Sequence, residues 1–353
     1  MNAPAENMAE TPRSNAVAAP HKTSKFQLLL KREFWEHKGG FLWAPLIAGA
    51  IFLLFNLMAG GVGEVMLNKV DPSKTVQIDG KEVRIDMLNL GTLTDKLDPK
   101  DMAELGQVVN IGLYAATTWA FIVLAFVVFF YCLGSLYDER KDRSVLFWKS
   151  LPVSDAETVL SKVASAVLVA PALAVAAGIA TMFGFMLIAS IFIAIHGGNP
   201  FTMLWGLGDP LSVIGHLIAA IPVYALWALP TVGWLMLCSS WARSKPFLWA
   251  IMIPVFAGIF VTWFDVMDMF NLESSWFWQH VVGRALLSAV PGTWVDAANF
   301  DHIRGDGPEV LQQVINLKTL YSPLLSAQLW IGVLAGAAMI YGAIRLRRWR
   351  DEG

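Results

Sequence analysis

Six long apolar segments alternate with polar connections along the chain. A bilayer core about 30 Å thick is crossed by an α-helix of about 20 mostly apolar residues. The third segment is longer than one crossing needs, and Pro171 predicts a kink in it or marks its start. The pattern predicts an all-α membrane protein with six transmembrane helices. The six segments, none of which contains Asp, Glu, Lys or Arg, are 41–61, 111–136, 163–195, 213–238, 247–264 and 328–344.

The chain before the first apolar segment divides into two parts. Residues 1–24 are rich in Ala, Asn, Pro and Ser and lack the apolar stretch of a secretion signal, so we predict a disordered cytoplasmic tail. Residues 25–38 carry Phe26, Leu30 and Phe34 at every fourth position, which places them along one side of a helix. We therefore predict an N-terminal interfacial helix.

The six-span domain, residues 39–353, has a long acidic connection after its first span, at 64–107. Apolar residues alternate on both sides of Asp79-Gly80, which predicts a β-hairpin. Pro99, after Asp98, then predicts the start of a helix that leads toward the second span. We expect these elements to form a small extracytoplasmic α/β insert.

The connection between the fifth and sixth spans, residues 265–327, contains a Trp-rich stretch at 276–290. This stretch is too short and too interrupted to predict another span. We interpret it as a re-entrant or surface-lying helix within an extracytoplasmic helical region.

Composition supports a membrane protein, and the charges orient it. Only 15% of the residues are charged and 56% are hydrophobic, whereas a soluble domain has about 25% charged residues. With six spans, 17 of the 26 Lys and Arg residues fall in the N-terminal tail, the second and fourth connections and the C-terminal tail. Cytoplasmic connections carry the excess of Lys and Arg. We therefore predict a multi-pass protein of the cell (inner) membrane with both termini in the cytoplasm.

Several function classes lack the residues they need. Ion-coupled carriers use ionisable groups at membrane depth, and the predicted spans contain no Asp, Glu, Lys or Arg. The sequence also has no phosphate-binding loop, no His-Glu-x-x-His and no Gly-x-Ser-x-Gly, and Cys132 and Cys238 lack metal-ligand spacing. We predict no catalytic residue, metal site or cofactor and, at a net charge of −2, no nucleic-acid partner. Energy for uphill transport would have to come from another chain.

A few polar side chains lie within the predicted spans and are candidate contacts along a substrate path. The alternative is that they form hydrogen bonds between neighbouring helices, which is common in membrane proteins. The candidates are Asn56, Thr117, Thr118, Tyr224 and Thr231.

The second connection, residues 137–162, has the features of a cytoplasmic coupling loop. A dense run of mixed charge at 138–143 is followed by four apolar residues at 145–148. Aromatic anchors surrounded by charges are typical of a protein-interaction patch. The alternative is that these rings lie in the lipid interface or pack beneath the protein's own helices. The predicted docking residues are Glu139, Arg140, Arg143, Leu146, Phe147, Trp148, Lys149, Leu151 and Pro152.

The end of the coupling loop predicts the start of the next helix. Pro152 interrupts the chain, and Ser154 with Glu157 forms a capping box. Because this helix runs on into the third span, a push on the loop could tilt that span as a rigid lever.

The loop resembles that of type-2 ATP-binding-cassette (ABC) permeases. In that family Glu-Arg precedes a short apolar helix, followed by Leu-Pro-Val-Ser/Thr and a Lys at the foot of the third helix. The matching residues here are Glu139-Arg140, Leu151 to Ser154, and Lys162. The chain departs from the family where Gly-Thr usually follows Glu-Arg, since Lys141 to Ser144 stand there. The motif covers about 25 residues, and the order of spans and connections is similar along the whole chain.

The resemblance implies a permease subunit that pairs with a second copy or a homologous permease. Two ABC ATPase subunits would dock on the coupling loops and bind the ATP, and by family analogy the direction is export. The uncharged spans favour an apolar or amphipathic substrate. The alternative function is a non-transporting membrane scaffold or sensor that binds a partner through its outer insert.

Overall fold

The structure is a computed structural model that describes residues 25–69, 75–78, 81–84, 99–150, 152–267, 273–294 and 316–349. The predicted tail, residues 1–24, lies outside them. Most of the described residues are helical, and six helices among them are long and apolar enough to cross a membrane. The predicted helical, multi-pass membrane protein is therefore confirmed. These six helices are Lys25–Met66, Pro99–Lys141, Asp155–Ile195, Pro210–Trp227, Pro246–Val266 and Ala327–Trp349.

The regular elements are numbered here along the described parts of the chain. Wide π-helical turns at Gly39–Trp43, Ser165–Val169, Phe201–Trp205 and Trp278–Gly283, and a 3-10 turn at Ser322–Leu325, join or precede some of them. The helices and strands are α1 (Lys25–Lys38), α2 (Ala44–Lys69), β1 (Thr75–Ile78), β2 (Lys81–Arg84), α3 (Pro99–Gly134), α4 (Tyr137–Lys141), α5 (Ser144–Ser150), α6 (Asp155–Ala164), α7 (Ala170–Ile195), α8 (Pro210–Trp227), α9 (Leu229–Trp241), α10 (Pro246–Val266), α11 (Ser274–Phe277), α12 (Arg284–Leu287), α13 (Leu317–Tyr321) and α14 (Ala327–Trp349).

The predicted N-terminal helix has the predicted bounds but is continuous with the first span. α1 passes through the π turn into α2, and His37 has φ −111° and ψ 17°, which bends the run. Gly39 and Gly40 follow directly, and glycine weakens a helix. Leu29 and Glu33 form the buried side of α1, one position away from the Phe26-Leu30 face that the sequence predicts. Its location in a membrane interface stays a prediction.

The third span contains a widened turn directly before its proline. The backbone N–H of Ala170 donates to the carbonyl of Ser165, five residues earlier. Pro171 has no N–H, and its ring excludes an ordinary helical carbonyl position in the preceding turn. The disturbance that the sequence predicts at Pro171 is therefore present within a continuous helical run.

The fourth predicted span, residues 213–238, is not one helix. α8 ends at Trp227 and α9 begins at Leu229, with Ala228 between them. Pro230, in the first turn of α9, lacks the N–H that an uninterrupted helix would bond to the carbonyl of residue 226. Of these two helices, only α8 is long and apolar enough to span a membrane.

The connections predicted to be extracytoplasmic are described in part. α3 begins at Pro99, as predicted, and runs unbroken to Gly134. Strands β1 and β2 pair antiparallel, with Ile78 opposite Lys81. The rest of the predicted α/β insert lies outside the described residues, so a folded insert stays a prediction. Helical structure covers residues 274–287, where the sequence predicts a helix at 276–290.

Helices α9 and α14 approach each other through glycines. A Cβ atom at Gly336 would lie 2.6 Å from the carbonyl oxygen of Leu229, and one at Gly233 would lie 2.6 Å from the carbonyl oxygen of Gly336. Gly332 and Gly336 are four residues apart, the small-residue spacing that lets membrane helices pack closely. A separate group around Leu113, Met182 and Met186 fills the space between α3 and α7.

Candidate functional site

Four segments that the charge distribution assigns to one side of the membrane meet at one end of the helices. The Arg140 guanidinium of α4 donates to the carbonyls of Ser239 and Ala242, at 2.6 and 2.9 Å. Arg347, near the end of α14, bonds to Glu139. Lys162 of α6 bonds to Glu33 of α1 at 2.9 Å. The N-terminal helix, the second and fourth connections and the C-terminal helix are thus joined by charged side chains.

A charge cluster lies where these segments meet, formed by Arg32, Glu33, Glu139, Asp155, Lys162 and Arg347. Lys162 is at its centre, since its Nζ lies 2.9 Å from Glu33 Oε1 and 3.0 Å from Glu139 Oε1. The Lys162 side chain is 2% exposed. Three acids and three bases make up the cluster, so their formal charges balance.

Glu139 connects three of the helices. Its Oε1 accepts from Arg32 Nη2 at 3.0 Å, and its Oε2 accepts from Arg347 Nη1. Arg347 Nε also lies 3.2 Å from Asp155 Oδ1, in the first turn of α6. The Glu139 carboxylate thus links α4 to α1 through Arg32, to α6 through Lys162 and to α14 through Arg347. Bonds to an ionised partner are stronger than neutral ones.

Glu33 is the most deeply buried acid of the cluster. The residue is 0% exposed, and its Oε2 accepts a 2.8 Å hydrogen bond from the Tyr131 hydroxyl of α3. Arg32 Nη2 lies 3.1 Å from its Oε1. Burying an unpaired carboxylate is costly. The bonds from Tyr131, Arg32 and Lys162 offset that cost for Glu33.

The ionised form of Glu139 is stabilised by its neighbours. The residue follows the apolar segment that ends at Leu136 and so lies beyond the membrane-spanning part of its helix. Burial alone raises its pKa, but the charges of Lys162 and Arg347 outweigh burial and lower the pKa to about 2. Glu139 therefore carries no proton at physiological pH.

Local sequence signals hold the cluster's helices in place. The Ser154 side chain accepts from the Glu157 N–H at 3.1 Å, and the Glu157 carboxylate accepts from the Ser154 N–H at 2.9 Å. The predicted capping box is therefore present. Ser154 is the cap residue, so α6 begins at Asp155. This position brings the Asp155 carboxylate beside Arg347.

The short apolar helix of the coupling loop is α5, which lies next to the charge cluster. Val145 is buried, whereas Leu146 is 58% and Phe147 61% exposed. Trp148 packs under the Arg32 guanidinium, with 3.7 Å between Cζ and the ring centroid. One side of α5 is thus anchored to the chain, and the other presents two large apolar side chains.

The structure separates the predicted docking residues into two groups. Glu139 and Arg140 are buried against other parts of this chain, so a docking role for them would act by positioning α5 rather than by contact. Arg143 is exposed in a left-handed turn, with φ 57°. Lys149 is partly exposed and Pro152 exposed; the Pro152 carbonyl accepts from Lys25 Nζ at 2.8 Å. Leu151 lies outside the described residues.

The five candidate substrate contacts all donate hydrogen bonds to backbone carbonyls of this chain. Asn56, Thr117 and Thr118 donate to carbonyls three or four residues back in their own helices. Tyr224 donates to the Ala289 carbonyl at 3.0 Å, and Thr231 donates to the Arg284 carbonyl at 2.9 Å. The last two bonds join different helical segments, as the alternative interpretation expects.

Sequence reasoning did not single out Glu33 or the role of Arg347. Glu33 lies one helical turn after Leu29. An acid on the same side of a helix as an apolar residue was the one sequence signal that could have indicated its burial. Arg347 was counted only among the basic residues of the C-terminal tail. Its partners, Glu139 and Asp155, are 208 and 192 residues away in the chain, and no local pattern connects such distant positions.

Comparisons of this chain with protein-family models, with curated proteins and with solved structures found no match.

Proposed function

We propose that this chain is the permease subunit of an ATP-driven exporter of the ABC type, powered by separate ATPase subunits that dock on α5. The observation that carries the proposal is the exposure of Leu146 and Phe147 on a short helix whose other side is anchored. Exposed apolar anchors with charged neighbours are typical of docking sites. The resemblance of the loop to that of type-2 permeases supports the same function.

The charge cluster supports a mechanism in which α5 drives the membrane helices. Glu139 precedes α5 and Asp155 follows it, and both bond to Arg347 of α14. Lys162 ties the same region to α1. A displacement of α5 by a closing ATPase pair would therefore be transmitted to the first, third and last spanning helices together. Such rigid-body movement could switch a cavity between inward-open and outward-open states.

The electrostatics of Glu139 argue against proton coupling through this residue. The pKa of Glu139 is about 2, so this buried acid does not exchange protons near neutral pH. Its negative charge is paired with Lys162 and Arg347, and carriers driven by protons need a group that titrates. ATP hydrolysis in a partner subunit is the alternative source of energy.

The proposal includes an orientation and a set of partners. The charge cluster and α5 face the cytoplasm of the cell (inner) membrane, with α1 at the interface and the β1–β2 hairpin in an insert on the opposite side. A second permease copy or a homologous permease completes the complex. The substrate is apolar or amphipathic, because the spans offer no charge to an ionic one.

The test targets the exposed side of α5. We expect a Leu146→Ala, Phe147→Ala double variant, co-expressed with a candidate ABC ATPase from the same organism, to lose most of the ATPase co-purification and of the substrate-stimulated ATP hydrolysis. A Leu317→Ala, Leu325→Ala variant is the matched control, since these leucines are 51% and 93% exposed elsewhere in the chain and should have no effect.

Two outcomes would contradict this function. Full ATPase binding by the double variant would show that the exposed side of α5 is not the docking site. Substrate transport by the purified chain alone in liposomes, driven by a proton or sodium gradient, would show that transport needs no ATPase subunit. Stable association with a partner through residues 64–107, with no transport, would favour the scaffold alternative.

A further inference from the structure

A cavity of about 600 Å³ lies between α9, α10, α14 and the helical segment 274–287. Ligand sites commonly have volumes of about 300–1,000 Å³. Its walls are mostly apolar and include Trp234, Pro254 and Met339. The described residues that line it include no acid. The cavity is separate from the charge cluster.

Arg284 is a buried cation at this cavity that forms no ion pair with the residues that the structure describes. Arg284 is 8% exposed, and its Nη1 and Nη2 atoms have no hydrogen-bond acceptor among the described residues. Its guanidinium carbon lies 3.6 Å from the centroid of the Trp227 ring, which holds the plane of the group but leaves its N–H donors unused. Burial lowers the pKa of Arg284 to about 10, so the side chain remains charged at pH 7.

The backbone around Arg284 is arranged to hold the guanidinium at the cavity. Its carbonyl accepts from the hydroxyls of Thr231 and Ser288, both at 2.9 Å. A Cβ atom at residue 332 would lie 2.3 Å from Arg284 Nη2, so glycine leaves the room that this group occupies. An unpaired buried charge is strongly unfavourable, and an anion would remove that cost.

The cavity also opens toward the surface of two spanning helices. Ile253 of α10 and Ile331 of α14 line it and are 40% and 67% exposed, and Trp276 beside them is 53% exposed. An occupant can therefore enter laterally from the hydrocarbon of the bilayer. Apolar walls and lateral access select a molecule with an apolar chain, and Arg284 selects a negative headgroup.

We propose that this cavity binds an anionic lipid, whose carboxylate or phosphate pairs with Arg284 while its acyl chain lies along α10 and α14. Arginine forms two parallel hydrogen bonds with either group. The assignment does not depend on the proposed export function, because it concerns a lipid that the membrane itself supplies.

The test measures lipid binding to the purified full-length chain in a neutral detergent. We expect phosphatidylglycerol to raise the unfolding temperature and to remain bound in native mass spectrometry, and phosphatidylcholine with the same acyl chains to do neither. Arg284→Gln should weaken phosphatidylglycerol binding roughly tenfold, the loss of one charge-assisted interaction. Arg345→Gln is the matched control, because Arg345 is exposed on α14 and bonds to Tyr341.

A second readout separates a ligand site from a structural arginine. Without added lipid, Arg284→Gln should unfold at the same or a higher temperature, because it removes a buried charge for which the described residues offer no acid, at the loss of the Trp227 ring contact alone. A clear fall in the unfolding temperature would mean that contacts within this chain already compensate the Arg284 charge, and it would overturn the proposal. Ala335→Trp, at an exposed position that lines the cavity, should block binding while Arg284 is retained.

Three further results would also overturn it. Equal protection by phosphatidylglycerol and phosphatidylcholine would mean an apolar site without charge selection. Equal protection by inorganic phosphate would mean a site for a free anion. Unchanged phosphatidylglycerol binding by both Arg284→Gln and Ala335→Trp would place the lipid elsewhere on the protein.

Discussion

At the scale of single residues, Lys162 determines whether the charge cluster is balanced. Its ammonium group bonds to two carboxylates and is buried with them. The desolvation of such groups offsets much of their attraction, so a complete buried network is weak evidence for high stability. Removing one member is a different matter, because the remaining charges stay buried without compensation.

We predict that Lys162→Met lowers the free energy of unfolding by roughly 3–5 kcal/mol, the usual cost of breaking a buried ion pair. The measurement is thermal or denaturant unfolding of the purified chain in detergent. Lys31→Met is the matched control, since Lys31 is exposed on α1 and should change stability little. Equal stabilities of the two variants would mean that Lys162 is solvated in the protein.

Residue patterns predicted part of this site. The Ser154-Glu157 capping box is a local feature, determined by neighbours in the chain, whereas the sequence left open whether Leu146 and Phe147 are exposed or packed. The partners of Glu33 could not be predicted in the same way. An acid in an N-terminal helix is normally solvated, and its burial depends on Lys162, 129 residues later.

At the scale of elements, the close approach of α9 and α14 depends on glycine. The backbone of α9 occupies the space that a side chain at residue 336 would need. In a membrane, packing and not water exclusion holds helices together, so lost contact between two helices is not recovered by burial in lipid.

We predict that Gly336→Ala lowers the free energy of unfolding by about 1–3 kcal/mol, the cost of overpacking, because α9 and α14 must separate. Thermal unfolding in detergent measures this. Gly215→Ala on α8 is the control, since nothing lies within 4 Å of a Cβ built there. An unchanged unfolding temperature for Gly336→Ala would show that the two helices have room to move apart.

At the scale of the whole molecule, the four segments with the excess of Lys and Arg lie at one end of the helices. The charge count groups these segments correctly, and from that grouping the positive-inside rule predicts that they lie in the cytoplasm. Both cysteines of the chain, Cys132 and Cys238, are buried, which leaves little background for labelling of introduced thiols.

We predict that Lys81→Cys reacts with a membrane-impermeant maleimide in intact cells, whereas Lys149→Cys reacts only after the membrane is opened. Lys81 lies in β2 and Lys149 in α5, so the two report on opposite sides. The cysteine background of the unmodified chain is the control. The reverse pattern of labelling would show that the orientation is the opposite one, with α5 outside the cytoplasm and out of reach of cytoplasmic ATPases.

The sequence alone indicated a helical membrane protein with six spans, because segments of about 20 mostly apolar residues without charges cross a bilayer as helices. It also determined where several helices begin, since prolines and caps act on adjacent backbone groups. Only the tertiary structure decided that Glu33, Glu139, Lys162 and Arg347 share one buried cluster and that Arg284 lines a cavity whose described residues include no acid. The partners of a buried charge come from helices far apart in the chain, and their meeting depends on how the whole bundle packs.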